Sequence, residues 1–92
     1  MILRNFLNRL LWDDQLKKER ANFALTYIHR GAPDDEKTIN CLEIKSVLAT
    51  GFEVYSDEFN RVVKIPYHRI KYLVNLKEEK VIYRKVMQEQ DS

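Results

Sequence analysis

Apolar side chains fall at Ile2, Leu3, Phe6, Leu7, Leu10 and Leu11, the spacing of one helical face, while Arg4, Asn5, Asn8 and Arg9 take the opposite face. This predicts an amphipathic helix over residues 2–11 whose apolar stripe is too broad to be left in water. It should cover one face or one open end of a sheet. A helix lying on a membrane would carry a broader polar face than two arginines provide. Trp12 and the charged residues 13–20 follow, and read as a solvated connector.

At residues 21–30 the period changes to two: Phe23, Leu25, Tyr27 and His29 share one face, and Ala24, Thr26, Ile28 and Arg30 the other. This is a strand, with His29 at the rim of the core. Gly31 frees the backbone, Pro33 fixes it, and Asp34 and Asp35 keep the turn wet, so the strand ends here. Asn40 and Glu43 have the spacing of a capping box and predict one helical turn, after which residues 44–49 fit either helix or strand. Residues 52–56 and 61–65 form a hairpin around the turn at 56–60, stopped by Pro66, which has no amide hydrogen for a ladder. Residues 70–76 and 81–86 form a second hairpin, and 87–92 have no pattern and are expected to be a disordered tail. The sum is an α+β fold: one domain, residues 1–86, with the N-terminal helix packed on a small, curled, barrel-like antiparallel sheet of about five strands in meander order.

Composition narrows the function. Ninety-two residues, 45% of them hydrophobic, make one core rather than two. A net charge of +2 is too small for the whole surface to hold a polyanion, so any nucleic-acid contact must come from local clustering. The single cysteine, Cys41, can form neither an internal disulfide nor a thiolate metal cage, which fits a reducing compartment and a cytoplasmic address. No apolar run is long enough to span a bilayer. Ser46, Ser56 and Ser92 sit in no nucleophile elbow, and Gly31 and Gly51 make no phosphate loop.

Two stretches repeat one chemistry. Tyr27-Ile28-His29-Arg30-Gly31-Ala32-Pro33 and Ile65-Pro66-Tyr67-His68-Arg69-Ile70 each join an aromatic ring, a His-Arg pair and a proline, and together use both histidines of the chain. A guanidinium is a planar fork that matches phosphate oxygens, and an adjacent imidazole adds a donor. Tyr27, Tyr67 or Tyr83 could meet an unstacked base, an interaction worth about 1–3 kcal/mol in single-strand binders. The densest basic stretch is Arg61, Lys64, His68, Arg69 and Lys71. Against this stands a purely structural role, in which the tyrosines are core and each arginine pairs with an acid such as Asp34, Asp35 or Glu43.

The same motifs, with Leu7-Asn8-Arg9-Leu10-Leu11-Trp12-Asp13 before them, resemble a small family of mainly archaeal uncharacterised proteins related to the RNA cyclic-group-end-recognition domain. The resemblance spans nearly the whole chain. It implies a module that binds RNA ends carrying a 2′,3′-cyclic phosphate, joined in some proteins to RNA-processing or phosphoesterase domains. The positions that match are Tyr27, His29, Arg30 and Gly31 in the first motif, and Pro66, His68 and Arg69 in the second. Where the family usually has Trp followed by Arg in the last strand, this chain has Tyr83-Arg84.

The expected function is a non-catalytic RNA-end-binding module without cofactor or metal. Its site would comprise His29, Arg30, His68, Arg69, Tyr27, Tyr67 and Lys64, with Gly31, Pro33 and Pro66 shaping the turns. RNA is the expected partner, with RNA-processing proteins beside it and no membrane. Two alternatives remain: a metal-independent RNA cyclic phosphodiesterase or ribonuclease using His29 and His68 as base and acid, and a protein-interaction module using a sheet edge.

Overall fold

The computed structural model describes residues 2–85; the expected tail and the end of the last strand at Val86 lie outside them. The first helix, α1 (Ile2–Trp12), buries Leu3, Leu7, Leu10 and Leu11, as its spacing requires. Phe6 packs edge-on against Phe23, with ring centroids 5.4 Å apart. Each fully buried leucine contributes about 1.5–3 kcal/mol relative to exposure, so this helix is part of the core.

A short second helix, α2 (Asp14–Lys18), occupies the stretch expected to be a connector. Asp13 starts it: its carboxylate accepts hydrogen bonds from the amides of Gln15 and Leu16, and the Leu16 bond is the main cause that holds its pKa below the usual carboxylate value. The charges beyond are not all solvated. The Arg20 guanidinium donates to the carbonyls of Cys41, Leu42 and Ile44 at 3.0, 3.2 and 2.7 Å, tying the segment before the first strand to the turn between the two sheets.

Seven strands follow among the described residues, rather than about five: β1 (Phe23–Ile28), β2 (Glu36–Asn40), β3 (Ile44–Val47), β4 (Gly51–Ser56), β5 (Arg61–Pro66), β6 (Ile70–Asn75) and β7 (Lys80–Arg84). They form two antiparallel sheets, ordered β2-β1-β6-β7 and β3-β4-β5, and do not close into a barrel. The meander order also fails, because β1 pairs with β6 across the inserted three-stranded sheet. β2 escapes a pattern reading because it is an edge strand whose one buried residue is Ile39, so it shows no alternation. The Asn40–Glu43 capping box is present, but it caps a single 3₁₀ turn, and the chain then enters β3.

Phe23, Leu25, Ile39, Cys41, Ile44, Phe52, Val54, Ile65, Ile70 and Leu73 join the buried face of α1 in one core between the layers. No helix among the described residues is long and apolar enough to cross a membrane.

Candidate functional site

Register brings the two motifs together. Tyr27, near the end of β1, stands opposite Ile70, the first residue of β6, so the chain leaving β1 towards His29 runs beside the chain entering β6 from Arg69. The ladder shifts between Thr26 and Tyr27, leaving Lys71 as the extra residue on β6. Lys71 pairs with Glu36 on β2, whose hydrogen bond is the main cause raising the lysine pKa. Lys71 is therefore neutralised, not a free member of the basic stretch.

The first corner is a tight turn. The His29 amide donates to Asp35 O at 2.8 Å, and the Gly31 amide to the Asp35 carboxylate at 3.2 Å. Gly31 has φ +95°, which its missing side chain permits. Pro33 opens the 3₁₀ turn that leads into β2. The second corner is the 3₁₀ turn Tyr67–Arg69, entered from Pro66 in extended geometry and anchored by the Tyr67 amide on Thr50 O.

Between the corners lies a cavity of about 170 Å³, lined by Tyr27, His29 and Lys37 from the first sheet, Val54, Ser56, Val63, Lys64 and Ile65 from the second, Phe59 from the β4–β5 turn, and Arg69. Its floor is apolar and its rim carries Lys37, Lys64, Arg69 and the His29 imidazole. Among the described residues no carboxylate belongs to this wall. The nearest acid on the imidazole is Glu58, whose Oε1 is 3.5 Å from His29 Nε2. Lys64 Nζ donates to the Thr50 hydroxyl.

Among the expected residues, the cavity thus gathers Tyr27, His29, Lys64 and Arg69. Arg30 and His68 are exposed on their turns and do not line it; the His68 carbonyl accepts from Lys85 Nζ. Among the described residues neither Arg30 nor Arg69 is in an ion pair. The tyrosines are corrected in role: Tyr27 is 2% and Tyr67 5% exposed, so neither offers a ring face to a base. Both rings flank Phe52, and the Tyr67 hydroxyl donates to Leu48 O. Burial raises both phenol pKa values. Tyr83 is half-buried against the core. Among the described residues, no group of three or more His, Cys, Asp or Glu is arranged to hold a metal ion.

The family model of the MJ1316 RNA cyclic group end recognition domain matches residues 1–85. A UPF0248 protein of Methanococcus vannielii is 35% identical over 85 residues, covering 92% of this chain and 93% of the relative. Another, from Methanococcus maripaludis strain C7, is 36% identical over 84 residues, covering 91% and 99%. The chain belongs to this family. No solved structure matches it.

In this RNA cyclic group end recognition domain, pattern and motif did not single out Lys37, Ser56 and Phe59 of the cavity wall, nor Glu58 beside His29. Lys37 stands directly opposite Tyr27, but on the strand without a pattern. Ser56, Glu58 and Phe59 fall in what reads as an ordinary polar turn. Nothing in sequence spacing marks them; only the folding of β4 and β5 over the end of β1 does.

Proposed function

We propose that this protein is a non-catalytic module that binds the phosphate-bearing end of an RNA, a 2′,3′-cyclic phosphate or a similar group, in the cavity between its two corners. The observation that carries this is the common rim of His29, Lys37, Lys64 and Arg69, drawn from both motifs and both sheets. Three fixed cations and an imidazole around an apolar floor suit a compact anion, and Arg69 supplies the forked donor. The volume supports an end group: about 170 Å³ is below the roughly 300–1,000 Å³ of pockets that engulf whole small-molecule ligands. The family description, which names RNA cyclic group end recognition, agrees with this chemistry. Among the wall residues there is one imidazole, so a paired-histidine phosphodiesterase draws no support from the cavity.

Calorimetry with short RNAs of one sequence ending in a cyclic phosphate, a 3′-phosphate or hydroxyls tests the proposal. The phosphorylated ends should bind and the hydroxyl end should bind far more weakly. Equal or absent affinity for all three would overturn end recognition.

A further inference from the structure

We infer that Phe59, at the tip of the β4–β5 hairpin, is the platform on which the terminal base of the bound RNA stacks, which makes this hairpin the element that distinguishes a nucleotide end from a bare phosphate. The inference rests on the phosphate reading of the cavity. A space of about 170 Å³ admits the phosphate and its sugar edge, and leaves the base outside on the rim. Phe59 is the aromatic residue available there: it lines the cavity, yet is 56% exposed, while Tyr27 is buried in the wall and Tyr67, also buried, does not line it.

Exposure of a phenylalanine costs apolar hydration, and the turn holds it in place. The Phe59 amide donates to the buried Ser56 hydroxyl at 3.2 Å, the Tyr55 hydroxyl donates to Asn60 Oδ1, and Asn60 closes the turn at φ +54°. The Arg61 guanidinium lies 5.7 Å from the ring centroid. That cation–π contact braces the ring. A base laid against the ring completes a stack whose phosphate reaches the cations of the rim. Stacking on an aromatic side chain tolerates every base, because each has a π-face. The site therefore takes a nucleotide end with little sequence preference.

Compare adenosine 2′,3′-cyclic phosphate with base-free 1-O-methylribose 2′,3′-cyclic phosphate by calorimetry, on the wild type and on Phe59→Leu and Phe59→Trp. The wild type should bind the nucleoside compound about ten- to a hundredfold more tightly than the base-free one. Phe59→Leu keeps the apolar bulk but loses the π-face, so the ratio should fall towards one, and Phe59→Trp should restore it. Equal wild-type affinity for the two compounds, or an unaltered ratio in Phe59→Leu, overturns the stacking role while leaving phosphate recognition standing. Failure of the wild type to bind either compound overturns both.

Discussion

Tyr27 pairs with Ile70 across β1 and β6, and this one register position brings His29 and Arg69, from two distant motifs, to one cavity. A slip by one residue would turn His29 away from the core rim and move Arg69 along the cavity. The two arginines thus separate in role. Arg69→Ala should weaken binding of a cyclic-phosphate RNA and reduce the log-log salt slope by about 0.7, the value for one lost phosphate contact with a single strand. Arg30→Ala and His68→Ala, outside the cavity wall, should change affinity by less than about twofold, which is below 0.5 kcal/mol. Titrations from low to moderate salt read both, and equal losses for Arg30 and Arg69 would show that the phosphate sits elsewhere.

Glu58 places a carboxylate 3.5 Å from the imidazole that faces the cavity. A phosphate bound as proposed would meet that negative charge, so removing it should help. Glu58→Gln is expected to tighten binding by about two- to fivefold, the range of an exposed pair. Weaker binding in this variant would mean that Glu58 orients His29 for the ligand and does not oppose it.

What the sequence made legible follows from where physics writes locally. Alternation at Phe23, Leu25 and Tyr27 fixed a buried face and set His29 at its rim, and the helical stripe from Leu3 to Leu11 marked the covering helix. Edge strands leave weaker traces. β2 hides one side chain, Ile39, and so Lys37 could not be placed opposite Tyr27. Nor does local patterning reveal whether an aromatic is core or platform: Tyr67 and Phe59 both adjoin turns, yet one is 5% and the other 56% exposed. That difference arises from the two sheets folding together, a non-local event.

Arg20 sits in a charged run that reads as solvent-facing, yet its guanidinium serves three backbone carbonyls. These carbonyls belong to the turn that carries the chain from one sheet to the other. Removing the donor leaves them partly unsatisfied, at a cost of about 1.5–3 kcal/mol for bonds to a charged group. Arg20→Ala should therefore lower the melting temperature by about 6–24 °C in a domain of this size. Thermal unfolding checks this, and a shift under 2 °C would show that water replaces the guanidinium freely.

Alkaline solution should unfold the protein through its core. Burial pushes the Cys41 thiol from 9.0 up to about 12. The neutral thiol is favoured in the fold, so this contribution is complete below pH 9 and is lost as pH rises from 9 towards about 12. Tyr27 and Tyr67, raised by burial from 10.0, act in the same direction at higher pH. Lys71, raised above 10.5 by Glu36, adds stability below that pH and loses it above. The urea midpoint should fall steadily above pH 9, and Cys41→Ala, about 1 kcal/mol less stable at pH 7 for its lost sulfur, should show a shallower fall between pH 9 and 10. Thiol labelling of the native protein should be slow and track unfolding. Rapid labelling at neutral pH would contradict the buried position.

The two glycines should fail in different ways. Gly51 faces Pro66 across the β4–β5 ladder so closely that a Cβ would lie 2.4 Å from Ile65 O, an approach that requires the strands to separate. Because Ile65 and Pro66 lead straight into the Tyr67–Arg69 turn, that separation moves the corner carrying Arg69. Gly51→Ala should cost about 2 kcal/mol or more, as overpacking does, and weaken phosphate binding in the fraction that remains folded. A Cβ on Gly31 would touch nothing, so only its φ of +95° resists substitution. Gly31→Ala should cost about 1–2 kcal/mol through backbone strain alone, and Gly31→Asn less, because asparagine enters the left-handed region more readily. Urea denaturation of the three variants orders them: Gly51→Ala lowest, then Gly31→Ala, then Gly31→Asn. A Gly51→Ala protein as stable as the wild type would mean that β4 and β5 lie farther apart at this point than the ladder requires.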